Sequence, residues 1–584
     1  MTEPTPSHHP GLPIRYADFG CIAEALDYAA QGPTGLNFYS AKGTLSEALP
    51  YGLLREQAID LARRMLAAGL EPGERVGLVA ESDGDFVRAF FACQYAGLVP
   101  APLPLPAAFG GKDVYISHLQ RMMASAQVSA AFGPAMLEAW LAEAVTGLDL
   151  KISGTLARLA EVAPLAGDLP EQDPDGLSYL QFSSGSTRFP LGIAVTQRAF
   201  MANAHGMGHD GLAAVDGDRC VTWLPFYHDM GLVGFLLTPL ACQMSIDIIS
   251  TRDFARRPLL WLNLISRNRA SISYSPSFGY ELCVRRAETA STDGIDLSSW
   301  RSAGIGGDMI RPNVLARFAE RFAAHGFGTG AFVPSYGMAE ATLALSFMPP
   351  GEGAQYDVVD GAILETEHRA VPARDEAART RAFVLCGRML PGHDIEVRNE
   401  AGHPLSDRLV GRIFVRGPSL MTGYYGAPEE TARVMTADGW LDTGDLGYLV
   451  DGQVVITGRA KDLIIVNGRN LWPQDLEWAT EAEIAALRSG DVVVFSVDGE
   501  TDEQVVALVQ CRTTDPVTRE ALTTEIANVF RGRHGLDSKI ILVPPHSLPQ
   551  TSSGKLSRSR ARTMYLAGDF SHPSASMTAA AGAE

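Results

Sequence analysis

The sequence predicts an α/β protein with a large N-terminal domain of helix-covered sheets, a β-rich subdomain and a small α+β domain at the C-terminus. Apolar runs of strand length alternate with helical patterns up to about residue 345, which is typical of parallel sheets covered by helices. After Pro349-Pro350 the apolar runs are short and are separated by Gly turns, which indicates β-rich structure. From Asp462 onward, two valine-rich runs and one helical segment indicate the α+β domain.

Domain boundaries follow from these changes of pattern. A chain of 584 residues is too long for a single hydrophobic core. We expect an N-terminal domain over residues 1–459, whose β-rich subdomain starts near residue 350, and a C-terminal domain over residues 460–568. Residues 569–584 are rich in Ser, Ala and Gly, and we predict that they are disordered.

The first predicted elements are a short helix, a longer helix, a strand and a third helix. Residues 22–30 predict the short helix, and residues 51–69 predict a longer one because their apolar side chains recur at helical spacing. Residues 75–80 predict a buried strand, and residues 86–95 the next helix.

Three later segments carry further predictions. The apolar stretch 230–244 is too short for a membrane span and is interrupted by polar residues, so we predict a buried core segment. Residues 356–364 predict a hairpin around the Asp360-Gly361 turn. Near the C-terminus, residues 492–497 and 504–509 predict strands and residues 518–530 predict a helix.

Composition excludes some classes of function. The formal net charge of −19 disfavours nucleic acid as a partner. Seven cysteines without a C-x-x-C pair predict buried free thiols in a reducing compartment and no metal held by cysteine. The N-terminus is polar and proline-rich, without a signal-peptide pattern. We therefore expect a cytoplasmic protein with no integral membrane segment.

A hydroxyl-rich loop, residues 183–187, follows the apolar run 177–182. Its hydroxyl and backbone N–H groups suit a triphosphate, because phosphate oxygens accept many hydrogen bonds. No lysine follows this loop, so it is not a Walker A sequence. The missing charge is predicted to come from Lys555, which ends a second hydroxyl-rich segment, 551–555. Taken alone, either segment also fits a solvated turn.

His228 stands beside Asp229 in the aromatic and apolar segment 223–231. One interpretation is general-base chemistry by a His–Asp pair, although no nucleophile-elbow serine is evident. A second makes His228 a gate over a hydrophobic pocket. A third is a helix N-terminus with a histidine that has only structural partners.

Residues 335–340 follow a predicted strand and are expected to open a helix. Tyr336 is placed to stack on a purine base, and Glu340 offers carboxylate oxygens to a hard cation such as Mg²⁺. The alternative is an ordinary strand-to-helix turn with an exposed glutamate.

Asp445 lies in a Gly-bounded segment that predicts a tight turn. A carboxylate there can accept both hydroxyls of a ribose, and the alternative is a plain hairpin turn. Arg459 offers a positive fork to a ribose or phosphate. The Gly, Arg and Lys residues of 458–461 also predict an interdomain hinge.

In their order along residues 45–565, these motifs resemble those of the adenylate-forming superfamily, which includes acyl-CoA synthetases, luciferases and peptide-synthetase adenylation domains. Within it the chain is most similar to fatty acyl-AMP ligases. Arg188 stands where the wider family usually has glycine, residues 276–283 are close to that group's signature, and residues 351–380 form an insertion. The resemblance implies the adenylate-forming fold, with a mobile C-terminal domain and an insertion that keeps the enzyme from coenzyme A.

The resemblance also implies roles for individual residues. The phosphates would be held by Ser183, Ser184, Gly185, Ser186 and Thr187, the adenine would be lined by Gly306, Gly307, Asp308, Met309, Ser335, Tyr336, Gly337 and Met338, and the ribose would be bound by Asp445 and Arg459. Mg²⁺ would be bound by Thr187 and Glu340, the hinge would be Lys461, and the acyl group would be bordered by His228, Met230, Gly231, Phe278 and Tyr280. The catalytic residues would be Lys555, His228, Glu340 and Thr187.

Three positions depart from the family pattern. Leu191 stands where Pro-Lys-Gly is common, Gly307-Asp308 replaces Ala-Glu, and Arg412 replaces a glutamate. The first removes a positive charge from the phosphate loop and is expected to slow ATP capture.

The implied reaction uses ATP and Mg²⁺ to convert a medium- or long-chain fatty acid to an acyl-adenylate, releasing pyrophosphate. The acyl group would then pass to the phosphopantetheine thiol of a holo acyl carrier protein. One alternative is an acyl-CoA synthetase whose insertion is incidental. Another is a catalytically silent acyl- or nucleotide-binding module, which the presence of Lys555 and Glu340 disfavours.

Overall fold

The structure is a computed structural model, and the residues it describes fall into the following ranges. They are 3–6, 12–106, 111–182, 190–375, 377, 379–466, 469–498, 503–550 and 556–570.

The first third of the chain alternates helices and short strands, as its periodicity predicts. Its elements are α1 (Ile22–Ala29), β1 (Gly35–Tyr39), β2 (Leu45–Pro50), α2 (Tyr51–Ala67), β3 (Arg75–Val79), α3 (Gly84–Tyr95), β4 (Val99–Leu103), α4 (Gly111–Ala126), β5 (Val128–Phe132), α5 (Glu138–Ala144), β6 (Ile152–Gly154) and α6 (Ala157–Ala160). Strands β3 to β6 form a parallel four-stranded sheet in the order β4-β3-β5-β6. Strands β1 and β2 join a second, larger sheet.

The central third continues the alternation and builds most of that larger sheet. Its elements are β7 (Leu177–Phe182), β8 (Gly192–Thr196), α7 (Gln197–His205), β9 (Arg219–Thr222), α8 (Asp229–Leu232), α9 (Thr238–Ala241), β10 (Ser245–Ile249), α10 (Thr251–Arg256), α11 (Leu259–Asn268), β11 (Ile272–Ser275), α12 (Ser277–Ala287), β12 (Ser302–Ile305), α13 (Pro312–Phe322), β13 (Phe332–Gly337) and β14 (Ala344–Phe347). Two π-helical turns, Gly206–Gly211 and Val233–Leu237, interrupt the helices.

The segment from residue 356 to 459 is rich in antiparallel strands, as predicted. Its elements are β15 (Tyr356–Asp360), α14 (Gly361–Glu367), β16 (Thr380–Val384), β17 (Arg388–Met389), β18 (Asp394–Arg398), β19 (Gly411–Arg416), β20 (Gly423–Tyr424), α15 (Pro428–Val434), β21 (Leu441–Val450) and β22 (Gln453–Arg459). Strands β18, β19, β21 and β22 form a four-stranded sheet in that order.

We call residues 460–570 the C-terminal segment, and the described residues in this range form a small α+β unit with its own apolar clusters. Its elements are β23 (Ile464–Val466), β24 (Arg469–Leu471), α16 (Pro473–Glu483), β25 (Val492–Asp498), β26 (Glu503–Gln510), α17 (Pro516–His534), β27 (Ser538–Val543) and α18 (Arg558–Ala567). Strands β25, β26 and β27 make a three-stranded sheet, so the strands and helix predicted here are confirmed.

The large sheet has nine strands in the order β17-β14-β13-β12-β11-β9-β10-β1-β2. The run β13-β12-β11-β9-β10-β1 within this sheet is parallel throughout. Because the carboxyl ends of parallel strands meet at one edge, this edge is where a ligand site is expected. The apolar stretch 230–244 is buried in the same core, as predicted.

The hairpin predicted over residues 356–364 is wrong. β15 instead pairs with β16, about 20 residues downstream, and the carboxylate of Asp360 accepts hydrogen bonds from the N–H groups of Ala362 (2.9 Å) and Ile363 (3.1 Å). An Asp-Gly pair is as suitable for a helix N-cap as for a turn, and here Asp360 is the N-cap of α14. The described residues of the insertion predicted at 351–380 therefore include a strand and a helix, and the return strand β16 begins where the insertion ends, at Thr380.

All seven cysteines are buried and free, as predicted. Among the described residues, no helix has both the length and the apolar character that crossing a bilayer requires.

A buried ion pair joins β9 and β10 beneath the N-terminus. Arg219 donates to both carboxylate oxygens of Asp247 at 2.7 Å, and to the carbonyl of Thr5 at 2.7 Å. The amides of Asn37 and Asn268 donate to the same carboxylate at 2.9 and 2.8 Å. Asp247 is fully buried and Arg219 nearly so.

Replacing Asp247 with asparagine is expected to destabilise the fold by about 3–5 kcal/mol, because it leaves a buried guanidinium without its counter-charge. Urea unfolding followed by circular dichroism measures this change. Asp175→Asn serves as the control, because Asp175 pairs with Arg198 on the exposed surface, and its unfolding midpoint should not move. Equal midpoints for the two variants would contradict the prediction.

Candidate active site

A cavity of about 970 Å³ lies between the end of the large sheet, the β-rich sheet and the C-terminal segment. Many of the predicted site residues line it, from widely separated parts of the sequence. They are Phe278, Gly307, Asp308, Met309, Ser335, Tyr336, Gly337, Asp445, Arg459 and Lys461. Gly306, Met338, His228, Met230, Gly231 and Glu340 lie outside this lining.

The carboxyl ends of β12 and β13 supply one wall of the cavity. The two strands pair in parallel, so Gly306 follows one strand where Ser335 stands in the other. A side chain at Gly306 would place its Cβ 2.8 Å from the carbonyl oxygen of Ser335. Glycine is needed there for the two backbones to approach.

Residues 335–337 do not open a helix, contrary to the sequence prediction. They end β13, and only a single 3₁₀ turn, Ala339–Ala341, follows before β14. Glu340 sits in that turn. The tight reversal places Tyr336 on the strand and Glu340 beside the β-rich subdomain.

Tyr336, Asp445 and Arg459 form a connected polar group at the cavity wall. The Tyr336 hydroxyl donates to Asp445 Oδ2 at 2.8 Å, and Arg459 Nε lies 3.4 Å from Asp445 Oδ1. Burial raises the pKa of Asp445, whereas Arg459 and the tyrosine hydroxyl act in the opposite direction. Tyr336 and Arg459 together hold the Asp445 carboxylate in a fixed orientation toward the cavity.

The sequence predicts a tight turn at Asp445, and this prediction is wrong. Asp445 is part of β21 and is paired directly with Arg459 on β22. Two neighbouring strands therefore deliver the carboxylate and the guanidinium to the same place, which is a more rigid support than a loop.

Glu340 is half-buried and is held from the β-rich subdomain. The Tyr424 hydroxyl donates to Glu340 Oε1 at 3.0 Å, and the backbone N–H of Met421 donates to the Glu340 carbonyl at 2.8 Å. Burial raises the pKa of Glu340, while Tyr424 and Arg459 lower it. A nearby cation would favour its charged form further.

His228 is the N-cap residue of α8. Its ring lies 4.7 Å from that of Tyr227, and both side chains are partly exposed. A side chain at Gly231 would place its Cβ 2.1 Å from the carbonyl oxygen of Pro225, so the chain can turn here only with glycine. Met230 and His228 are half-buried, and the Met230 side chain packs against the main apolar core.

Phe278 and Tyr280 point to different sides of α12. Phe278 lines the cavity and packs edge-on against Trp223 at 5.6 Å. Tyr280 is fully buried among Trp261, Trp300 and Phe318, and its hydroxyl donates to the Gly304 carbonyl at 2.8 Å. Its expected place at the acyl group is therefore corrected: two residues along a helix turn about 200°, which takes Tyr280 into the core.

The predicted phosphate loop, 183–187, and Lys555 lie outside the described residues, and so does Arg188. Their described neighbours can be placed. Phe182 ends β7, and Leu556, directly after Lys555, lines the cavity together with Ser557 and Arg558.

Arg412 and Asp308, which depart from the family pattern, both contact other side chains in the structure. Arg412 forms an ion pair with Asp442 at 2.7 Å across β19 and β21. Asp308 accepts weak hydrogen bonds from the backbone and hydroxyl of Ser277 at 3.3 and 3.4 Å, which ties the residues after β12 to the start of α12.

Ion pairs across the cavity were not foreseen in the sequence. Arg311 Nη1 donates to Ser489 Oγ at 2.7 Å and to Glu481 at 3.2 Å, and its guanidinium lies 4.9 Å from the ring of Trp478. Burial raises the pKa of Glu481 to about 7. Arg381 pairs with Asp475 at 3.0 Å.

A second group joins the insertion to the C-terminal segment. Glu365, on α14, is almost fully buried and accepts from Arg379 at 2.5 Å and from Arg469 at 2.6 Å. Arg379 also contacts the carbonyl of Arg533 and Nδ1 of His534, each at 3.1 Å. We call these five residues the insertion clamp. Its contacting partners are 14 to 155 residues apart, so no local pattern could have shown it.

Comparison with known proteins identifies the family. A family model described as AMP-binding enzyme matches residues 30–425. A putative acyl-CoA synthetase of Caulobacter vibrioides is 54% identical over 570 residues, covering 98% of this chain and 99% of that protein. The medium-chain-fatty-acid–(acyl-carrier-protein) ligase JamA of Moorena producens is 31% identical over 580 residues, covering 94% and 96%.

The fold has a matching solved structure, from a study of fatty acyl-adenylate ligases of E. coli and L. pneumophila. It superposes with a TM-score of 0.91 at 44% identity, covering 96% of this chain and 100% of that one. The chain therefore belongs to the AMP-binding enzyme family, has the adenylate-forming fold and, as an adenylate-forming ligase, resembles the fatty acyl-AMP ligases.

Proposed function

We propose that this protein activates a medium- or long-chain fatty acid as its acyl-adenylate and passes the acyl group to the phosphopantetheine thiol of an acyl carrier protein. The observation that carries the proposal is the match, along nearly the whole chain, to a structure studied as a fatty acyl-adenylate ligase. The similarity to JamA supports the carrier protein as acceptor. The seven buried free thiols support a cytoplasmic location.

The nucleotide would lie against the ends of β12 and β13. Residues 307–309 and Tyr336 line the cavity at this point and would contact the adenine. Asp445 is fixed by Tyr336 and Arg459, so its carboxylate would accept the two ribose hydroxyls without reorganising. Loop 183–187 would take the β- and γ-phosphates.

The donors present fit a magnesium ion. Glu340 is a half-buried carboxylate whose charge is disfavoured by burial, and a divalent cation would offset that cost. Tyr424 occupies one carboxylate oxygen and fixes its orientation. Glu340 and Thr187 would hold the ion, which, when bound, supplies positive charge to the phosphates.

The chemistry joins two anions. A carboxylate oxygen of the fatty acid would attack the α-phosphorus, and the bond from that phosphorus to the pyrophosphate oxygen would break. Because like charges repel, neutralisation is the main catalytic task. Lys555 would meet the carboxylate and the α-phosphate, and Leu556 beside it lines the cavity. The acyl chain would run past Phe278 toward His228, Met230 and Gly231.

We further propose that residues 1–459 and 460–568 are separate domains, which turn about Lys461 between the two half-reactions. Lys461 lies in a single 3₁₀ turn between β22 and β23. The carrier's thiol would then attack the acyl carbonyl, and AMP would leave.

The second candidate is an acyl-CoA synthetase, which the name of the Caulobacter relative favours. Offering the enzyme ATP, a fatty acid panel, and either coenzyme A or a panel of holo acyl carrier proteins separates the two. Intact-mass spectrometry should show acylated carrier protein, with acyl-CoA formed at least about tenfold more slowly. Rapid acyl-CoA formation without acylated carrier would establish the alternative.

Replacing Asp445 with asparagine is expected to raise the KM for ATP about tenfold or more, since a charge-assisted hydrogen bond is worth about 1.5–3 kcal/mol. Fatty-acid-dependent pyrophosphate release at varied ATP gives this value. Asp438→Asn is the control, because Asp438 is exposed and lies outside the cavity lining. An unchanged KM in the Asp445 variant would remove the ribose assignment.

A further inference from the structure

We propose that His205, His209 and Asp210 form a surface site for Zn²⁺, remote from the nucleotide cavity, which fastens the N-terminal arm to the body of the protein. The N-terminal arm is residues 12–21. One ring nitrogen of each histidine and one carboxylate oxygen of Asp210 all lie within 4.8 Å of one another, on an exposed surface.

The π-helical turn after α7 creates this cluster. The α-helix ends at His205, and Gly206–Gly211 continues as a π-helix. In a π-helix the hydrogen bonds join residue i to i+5, so Asp210 comes back over His205. In a regular α-helix, residue i+5 would lie about 140° around the axis, away from His205. In this π-helical turn, His209 at i+4 and Asp210 at i+5 both lie beside His205 at i.

Close packing fixes the inner side of this turn. A side chain at Gly208 would place its Cβ 2.6 Å from Cys242 Sγ, and one at Gly211 would place it 2.7 Å from the ring of Phe347. The glycines therefore lie against the core, and His209 and Asp210 stay outside. The three polar side chains converge on a rigid support.

The hydrogen bonds of the two rings leave the metal-binding nitrogens available. His205 Nδ1 lies 2.7 Å from the carbonyl oxygen of Tyr16, which can only accept, so this nitrogen carries the hydrogen. His209 Nδ1 lies 2.9 Å from Asp210 Oδ1, and the carboxylate again accepts. In each neutral ring the lone pair is then on Nε2. Metal-binding histidines characteristically donate their other N–H to a carbonyl or a carboxylate.

The donor chemistry suits zinc rather than magnesium. Imidazole nitrogens are typical ligands of Zn²⁺, whereas Mg²⁺ prefers oxygen ligands and keeps its waters. The two rings are nearly parallel, with centroids 5.4 Å apart. Nitrogens bound at 2.0–2.1 Å in a tetrahedron are about 3.3 Å apart, a distance that small rotations of exposed rings can reach. His205 and His209 would bind through Nε2, Asp210 would orient His209, and water would complete the shell.

The arm gives the site a structural consequence. Tyr16 accepts from His205, its ring lies edge-on to His209 at 5.0 Å, and its hydroxyl donates to the Ala214 carbonyl at 3.0 Å. A metal that holds His205 and His209 in place would also hold Tyr16. Because the unfolded chain does not present these ligands together, zinc should stabilise the folded protein increasingly as its concentration rises above the Kd of the site.

The test uses the full chain without an affinity tag, freed of metal by chelation and kept in excess Mg²⁺ to fill oxygen-ligand sites. Calorimetric titration with ZnCl₂ should show one site per chain, and zinc should raise the thermal midpoint. His205→Ala/His209→Ala should weaken this binding at least about a hundredfold and abolish the rise. Asp210→Asn should weaken it about tenfold or more. Neither variant should change fatty-acid-dependent pyrophosphate release.

His403→Ala is the matched control, because His403 is an exposed histidine outside this cluster, and it should bind zinc like the unaltered chain. Circular dichroism without zinc verifies that each variant is folded. Undiminished one-site binding in the double histidine variant would overturn the proposal. The lack of any binding by the unaltered chain at about a 100-fold molar excess of zinc over protein would also overturn it.

Discussion

Replacing Lys555 with alanine is expected to reduce fatty-acid-dependent ATP–pyrophosphate exchange by at least about a hundredfold, the loss typical when a group that stabilises transition-state charge is removed. In the proposed reaction a carboxylate approaches a polyphosphate, and this lysine is the cation predicted to meet both. Binding of ATP alone should change little, because the contacts proposed for its adenine and ribose come from residues 307–309, Tyr336, Asp445 and Arg459. The loss should therefore appear in the rate of exchange rather than in nucleotide affinity.

Lys539→Ala is the matched control for this variant. Lys539 is also in the C-terminal segment, but it is exposed and its ammonium contacts the hydroxyl of Tyr565 at 3.1 Å. It should keep the exchange rate of the unaltered chain. If Lys555→Ala exchanged pyrophosphate as fast as Lys539→Ala, the role given to Lys555 would be wrong.

Breaking the insertion clamp is expected to change the choice of acceptor. Glu365 is the shared carboxylate between Arg379 of the insertion and Arg469 of the C-terminal segment. Glu365→Gln leaves two partly buried guanidinium groups without their counter-charge, and truncating such a pair costs on the order of 2–5 kcal/mol. That cost falls on the contact between the insertion and the C-terminal segment, so the segment should leave this orientation more often.

The expected result is that Glu365→Gln forms acyl-CoA at least about tenfold faster than the unaltered chain, which corresponds to about 1.4 kcal/mol. Removal of residues 351–380 should act in the same direction. Acyl-adenylate formation should persist in both, since neither change alters a residue that we propose to bind the nucleotide.

Glu367→Gln controls for the loss of a negative charge on the same helix. Glu367 pairs with Arg369, and both side chains are about half exposed. It should leave acyl-CoA formation at the level of the unaltered chain. Equal rates for the Glu365 and Glu367 variants would show that the clamp does not govern access of coenzyme A.

Periodicity was sufficient to predict most of the regular structure. α2 and β3 follow from apolar spacing alone, and so do β25, β26 and α17 in the C-terminal segment. The predictions of secondary structure that were wrong concern short patterns that fit two different local structures. Asp360-Gly361 fits both a hairpin turn and a helix N-cap, and the choice depends on β16, which lies outside any local window. Asp445 stands between glycines in the sequence yet is fixed in β21 by its pairing with Arg459.

The site was predictable to the extent that its residues lie in compact motifs. Tyr336, Asp445 and Arg459 were expected to share a nucleotide site, and the fold brings them into contact. The prediction that Tyr280 borders the acyl group was wrong, because the order of residues in a motif does not show which face of α12 each side chain occupies. The insertion clamp was missed because a buried charge cannot be matched to its partner without the three-dimensional arrangement.

The most direct test of the central proposal is mass spectrometry of the products formed from ATP, Mg²⁺ and a panel of fatty acids, without any thiol acceptor. The protein should release pyrophosphate only when a fatty acid of suitable length is present, and the matching acyl-adenylate should be detected. If ATP bound but no fatty acid gave either pyrophosphate or acyl-adenylate, the proposed activity would be contradicted.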